Sequence, residues 1–189
     1  MARRKTDVKN VTPRPQRGSR ASLYSDLSEY RRKRDFHRTS EPSGAPRGKK
    51  DPALLYVIQR HQASRLHYDL RLQEGSVLKS WAVPKTPPEK PGERRLAVEV
   101  EDHPLDYASF EGTIPEGAYG AGTVKIWDKG TYELLEAGPS KRLVSIHGRR
   151  LKGTYVLIKL RPREGQKDKN WLFFKTKDEG EKTGRKEKA

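Results

Sequence analysis

The sequence predicts an all-β fold, a closed or nearly closed β-barrel carrying a short N-terminal helix and a flexible basic N-terminal arm. Three observations lead there. From Leu54 onward apolar residues recur with a period of two rather than 3.6, in runs rich in β-branched and aromatic side chains. Turn residues punctuate these runs at short intervals. So many short strands favour closure, because a closed sheet has no exposed edges.

Along the chain, residues 1–21 hold Pro, Arg, Lys and Ser with almost no large apolar side chain, a composition that cannot offset the entropy of ordering, and they read as a disordered basic arm. Ser22 is suited to cap a helix over 22–35 in which Leu23, Leu27 and Tyr30 fall near helical spacing and Arg31, Arg32, Lys33 and Arg34 complement the C-terminal end. Residues 37–52 are rich in Pro, Gly and Ser and read as a loop. Strands are expected at 54–60, 65–73, 77–83, 95–101, 122–127, 131–136, 142–147, 151–160 and 171–176. The turns fall at Glu74-Gly75, in the Thr86–Glu93 run, at Asp128-Lys129-Gly130 and at Gly148. Trp81, Trp127 and Trp171 lie inside strands and are assigned to the core. One domain thus spans 22–178, and the charged residues 179–189 form a flexible tail.

Charge points to a partner. The net charge is +16, and residues 1–50 alone hold 15 Lys/Arg against 5 Asp/Glu. Such an arm gains affinity for polyanions by releasing condensed counterions, so nucleic acid is the favoured partner over a merely solubilising role. The chain has no cysteine, which excludes disulfides, thiolate metal sites and Cys nucleophiles; any metal must use His and carboxylate. No segment reaches the apolar length of a membrane span, and a cytoplasmic location is the default.

The chemistry concentrates in Arg65–Leu72. On a strand, Leu66, Tyr68, Leu70 and Leu72 face the core, while Arg65, His67, Asp69 and Arg71 line the other face at roughly 7 Å intervals. His67-x-Asp69 offers two metal ligands, and His61 six residues earlier can complete a three-point site. Two imidazoles and a carboxylate without sulfur suit Mn²⁺, Fe²⁺, Zn²⁺ or Co²⁺. A second run, Arg95–His103, places Leu96, Val98 and Val100 on one face and Arg95, Glu101 and His103 on the other, where they are expected to meet the first cluster. Arg71 and Arg95 bring bidentate donors for phosphate oxygens, Lys85 a point charge, and His103 a proton donor. The Glu116–Gly122 run is glycine-rich but lacks the context of a nucleotide-binding loop and reads as a tight turn.

These motifs resemble the 3'-phosphoesterase domain of bacterial DNA ligase D and its stand-alone bacterial and archaeal relatives. The similarity covers most of 28–178 through EYRRKRDF (29–36), TSEPSG (39–44), VIQRHQASRLHYDLRL (57–72), LKSWAVPK (78–85), the run from Arg95 to Gly130, and LKGTYVLIKL (151–160). It implies a β-barrel enzyme, usually Mn²⁺-dependent, that removes 3'-terminal ribonucleosides by a phosphodiesterase step and 3'-phosphates by a phosphomonoesterase step to leave 3'-OH ends in end joining. By motif, the resemblance makes His61, His67 and Asp69 metal ligands, and Arg71, Arg95, Lys85, His103 and Tyr107 phosphate or transition-state contacts. Arg34, Asp35, Glu41 and Glu101 match positions tied mainly to the diesterase step. The implied partners are primer–template 3' ends of DNA or RNA, with a DNA ligase, a polymerase and Ku-type proteins at the break, in a nucleoid-associated setting.

Two other readings use the same residues. Two His and one carboxylate also build non-haem iron oxygenases, and the basic arm alone would serve a non-catalytic DNA-end-binding module. The Arg and Lys groups around the ligands favour phosphate over the first, and retention of the whole polar constellation argues against the second.

Overall fold

The computed structural model describes residues 27–44, 53–162, 164–165 and 168–177. The expected arm 1–21 and tail 179–189 lie outside them, as do the first residues of the expected helix. What is described of that helix is α1, Ser28–Arg32, with Tyr30 fully buried. Strands follow as β1 (Leu54–Gln62), β2 (Leu66–Glu74), β3 (Val77–Val83), β4 (Arg94–Glu99), β5 (His103–Pro104), β6 (Gly112–Ile114), β7 (Gly122–Ala137), β8 (Lys141–Gly148), β9 (Lys152–Lys159) and β10 (Asn170–Lys175), with a 3₁₀ helix at Leu105–Ser109.

Eight of these strands close an antiparallel barrel. Neighbours run β1-β2-β3-β4-β10-β9-β8-β7, and β7 pairs back onto β1. Closure satisfies every long edge by backbone hydrogen bonds, as the strand pattern predicts. β6 adds to the start of β7 and β5 to β3. Inside, alternate residues of all eight strands meet: Tyr56 and Ile58 from β1, Leu70 and Leu72 from β2, Trp81 from β3, Ala97 from β4, Tyr132 from β7, Ile146 from β8, Leu157 from β9, Trp171 and Phe173 from β10. Trp81 and Trp171 pack edge to face with centroids 5.9 Å apart, and Trp127 packs on the margin of this core, partly buried. No helix among the described residues is long and apolar enough to cross a membrane.

One expected turn is absent. Asp128-Lys129-Gly130 does not separate two strands; Gly122–Ala137 is continuous, and Trp127 bulges out where Ile58 pairs with Asp128 but Gln59 pairs with Ile126. The turn-forming chemistry of Asp128 is spent elsewhere. Its carboxylate accepts the backbone N–H groups of Arg149, Arg150 and Leu151 and the Tyr56 hydroxyl, at 2.8–3.1 Å, so it fastens the β8–β9 hairpin. Gly130 is required because the His147 carbonyl passes where a Cβ would stand.

A second apolar cluster lies on the outer face of β1, β2, β3 and β7. Tyr30, Leu78, Tyr107, Phe110, Ile114 and Val124 form it, with Leu27 and Phe36 against it. Thus α1, the segment after it and the 3₁₀ helix cover the outside of the barrel at β1–β3. The polar face of β2 is buried for that reason: Asp69 and Arg71 are 6% and 3% exposed.

Candidate metal and phosphate site

Register brings the three expected ligands together. His61 pairs directly with His67 across β1 and β2, and Asp69 lies two residues further along the same face. One ligand atom from each falls within 4.8 Å of the others. His61 Nδ1 is 3.5 Å from Asp69 Oδ2, and His67 Nε2 is 3.7 Å from Asp69 Oδ1. The far nitrogen of each ring faces a carbonyl: His61 Nε2 donates to Gly120 O at 2.9 Å and His67 Nδ1 to Arg65 O at 2.9 Å. A carbonyl can only accept, so these nitrogens carry protons, and in the neutral form of each ring the inward nitrogen presents a lone pair. Two imidazole nitrogens and a carboxylate converging on one point offer a cation a donor set of mixed N/O character. Carbonyls behind the rings orient them, as at built metal centres.

Arg71 adjoins this point, with Nη2 3.4 Å from Asp69 Oδ2. Its other nitrogens are taken: Nε donates to Gln59 Oε1 and Nη1 to Ser80 Oγ, both at 2.8 Å. The guanidinium lies over the Tyr107 ring at 4.6 Å. Burial alone would raise the Asp69 pKa, but the positive charge beside it, Arg71 first, holds the carboxyl below its usual range.

Behind Arg71 runs a buried ionic network. Glu41 Oε1 accepts from Arg34 Nε at 2.8 Å and from the Tyr107 hydroxyl at 2.9 Å; Arg34 Nη1 donates to Glu101 Oε1 at 3.2 Å; Lys33 donates to Glu101 Oε2 at 3.0 Å. His103 closes it. Its Nδ1 donates to Glu101 O at 2.9 Å, and Nε2 accepts from Arg34 Nη2 at 3.2 Å. Burial first, then Arg71 and Arg34, push this imidazole well below its ordinary pKa, so His103 is neutral at pH 7. Burial likewise raises the Tyr107 hydroxyl, which stays protonated and donates to Glu41.

Of the expected residues, His61, His67, Asp69, Arg71, His103, Tyr107, Arg34, Glu41 and Glu101 form one connected region. Three do not join it through these contacts. Asp35 is exposed and serves its own turn, accepting from His37 N at 3.1 Å. Lys85 is exposed beyond the end of β3. Arg95 corrects the expectation for the second strand: it shares its side of β4 with Ala97 in the barrel core, while Leu96 is 43% exposed. It donates to Thr86 O at 2.6 Å on the barrel rim. The reason is that β4 ends at Glu99, so the alternation begun at Arg95 does not carry through to Glu101 and His103.

Sequence reasoning missed Gln59, Ser80, Lys33 and Gly120. Gln59 had a signal, since it shares the outer face of β1 with His61. The other three are joined to the site only by pairing and loop packing.

The family model of the DNA ligase D 3'-phosphoesterase domain matches residues 59–159, more than half of the chain. The chain belongs to this family. The match spans the three candidate ligands, Arg71, His103 and Tyr107. Among curated relatives, the multifunctional non-homologous end joining protein LigD of Pseudomonas aeruginosa is 50% identical over 159 residues, which are 80% of this chain and 19% of that protein. Its counterpart in Mycolicibacterium smegmatis is 42% identical over 170 residues, 84% and 22% of the two chains. That of Mycobacterium tuberculosis is 46% identical over 143 residues, 74% and 19%. The chain therefore spans about a fifth of the length of the curated relatives it matches.

Proposed function

We propose that this protein is a metal-dependent phosphoesterase that processes the 3' ends of nucleic acid strands in end joining, removing 3'-terminal ribonucleosides and 3'-phosphates to leave 3'-OH. The observation that carries this reading is the orientation of the two imidazoles: carbonyls hold their outer nitrogens, so both inner lone pairs meet Asp69 beside the free edge of Arg71. His61, His67 and Asp69 would hold Mn²⁺ or a similar divalent ion. Such an ion supplies Lewis acidity toward a phosphoryl oxygen and lowers the pKa of bound water.

The protein's own groups do the rest. Arg71, with Nε and Nη1 anchored, directs Nη2 to a phosphoryl oxygen and stabilises charge that develops there, without reorganising. Tyr107 supports the guanidinium through its ring face. His103, neutral and hydrogen-bonded on both nitrogens, holds Arg34 in place; its Nε2 receives a proton only when Arg34 withdraws. Arg34, Glu41 and Glu101 form the side of the site assigned to the nucleoside beyond the scissile phosphate, and Asp35 braces the turn that follows Arg34. Lys85 and Arg95 on the rim, together with the basic arm, meet the polynucleotide backbone. Ligase, polymerase and Ku-type proteins are the proposed partners at the break, inside a bacterial or archaeal cell.

The test is a primer–template duplex ending in one ribonucleotide or in a 3'-phosphate, incubated with the protein and Mn²⁺. Shortened, 3'-OH-terminated primers are expected, and unchanged ends would overturn the reading. Asp69→Ala should abolish both conversions and weaken Mn²⁺ binding at least tenfold by calorimetry. Full activity in that variant would refute the ligand assignment.

A further inference from the structure

The glycine-rich turn does more than hold His61. Tyr119 immediately precedes Gly120, whose carbonyl accepts from His61 Nε2 at 2.9 Å. Its side chain is 48% exposed, and no other aromatic ring stands among the exposed large hydrophobic side chains of the described residues. The exposure is built in. Gly117 and Gly120 take φ values of +79° and +77°, where L side chains are disfavoured, and backbone bonds from Ala118 to Pro115 and from Ala121 to Ala118 close the turn. Ala118 packs against the apolar cluster beneath, so the turn is anchored on both sides of Tyr119.

Cations attend the ring. Lys33 Nζ lies 4.7 Å from its centroid and donates to its hydroxyl at 3.3 Å, and the Arg34 guanidinium lies 5.5 Å away. Both cations also bind Glu101. Tyr119 thus joins the ligand His61, one residue away through Gly120, to the ionic network on the α1 side of the site. A rigidly placed, half-open ring flanked by positive charge is the arrangement on which nucleobases stack without regard to sequence.

We propose that Tyr119 is a specificity-determining residue that stacks on the base of the terminal nucleoside when the phosphodiester joining that nucleoside to the strand lies at the His61–His67–Asp69 cluster. The inference rests on the 3'-end-processing reading and adds what recognises the nucleoside. The competing role is structural: the Tyr119 hydroxyl merely props Lys33 against Glu101.

Two primers separate these roles, one ending in a ribonucleotide and one in a base-free ribose, each joined by the same terminal phosphodiester. kcat, KM and equilibrium affinity are measured for the wild type, Tyr119→Ala and Tyr119→Phe with Mn²⁺. Stacking predicts that the wild type favours the base-bearing end through KM, that Tyr119→Ala loses about tenfold of that preference, and that Tyr119→Phe keeps it. Equal losses on both ends in Tyr119→Ala, or a Tyr119→Phe that behaves like it, would overturn the proposal. A wild type that cuts neither end sinks the hydrolase reading instead. The base-dependent difference in affinity across the same three proteins then decides the stack by itself.

Discussion

Arg71 Nε donates to Gln59 Oε1 at 2.8 Å, and the same Gln59 amide donates through Nε2 to the carbonyls of Tyr107 and Phe110 at 3.0 and 2.8 Å. One uncharged side chain, fully buried on β1, thereby ties Arg71 on β2 to the 3₁₀ helix that covers it. Every hydrogen-bonding position of the amide except one carbonyl lone pair is used.

Replacing this group should disturb Arg71 more than the barrel. Gln59→Leu strands the Nε proton and two carbonyls in an apolar setting, at a cost of about 1–3 kcal/mol for each buried group left without a partner. Urea unfolding is expected to show a loss of that order, and kcat on 3'-phosphate ends should fall while Mn²⁺ affinity changes little. A Gln59→Leu protein with wild-type kcat would show that Arg71 needs no such anchor.

Arg34 stands between two buried carboxylates. Arg34→Met leaves Glu41 and Glu101 without its charge, and breaking a buried pair from one side costs about 3–5 kcal/mol. Lys33 still neutralises part of Glu101, so the expected loss in urea unfolding lies toward the lower figure. The Arg34→Met, Glu41→Gln double variant should recover part of it, since the stranded charge is then gone. No recovery would mean that Arg34 acts mainly through its packing over the Tyr30 ring, 3.9 Å away.

His103 gives the stability a pH dependence. Its folded pKa is depressed by burial, then by Arg71 and Arg34, so near and below the ordinary histidine value of about 6.5 the unfolded chain binds a proton that the folded one refuses. The contribution is intact above that pH and is lost progressively as pH falls below it. The wild type should therefore lose Tm between pH 7.5 and 5 faster than His103→Gln, whose amide does not titrate. Parallel Tm profiles would contradict the neutral assignment.

Asp128 tests the corrected strand. Asp128→Asn turns one acceptor oxygen into a donor facing backbone N–H groups, and hydrogen bonds to charged acceptors contribute about 1.5–3 kcal/mol each. A loss of about 3 kcal/mol in chemical denaturation is expected, with hydrogen-exchange protection falling first at Arg149–Leu151. Uniform loss across the barrel would place its role elsewhere.

The site was legible where it depends on one strand. Alternation along Arg65–Leu72 puts His67, Asp69 and Arg71 on one face whatever the rest of the chain does, and no distant contact is needed to read it. The same rule failed for Arg95, because where a strand stops depends on its partners: β4 ends at Glu99, and one last bond, from Val100 N to Ser80 O of β3, follows it. The turn expected at Asp128-Lys129-Gly130 failed for a related reason, since a carboxylate that caps a turn locally can equally cap a hairpin twenty residues away.

By itself the sequence determined the barrel class, the core face of β2, the exclusion of any cysteine ligand and the basic character of the chain, all consequences of composition and short-range period. The tertiary structure decided which way each imidazole points, because Gly120 reaches His61 only through the packing of the β6–β7 loop. It also decided that Arg34, Glu41, Glu101 and His103, spread over 70 positions, share one buried network. Local sequence patterns govern which face a side chain takes; desolvation and ionic pairing across a covered surface are set only when α1 and the 3₁₀ helix close over the barrel wall.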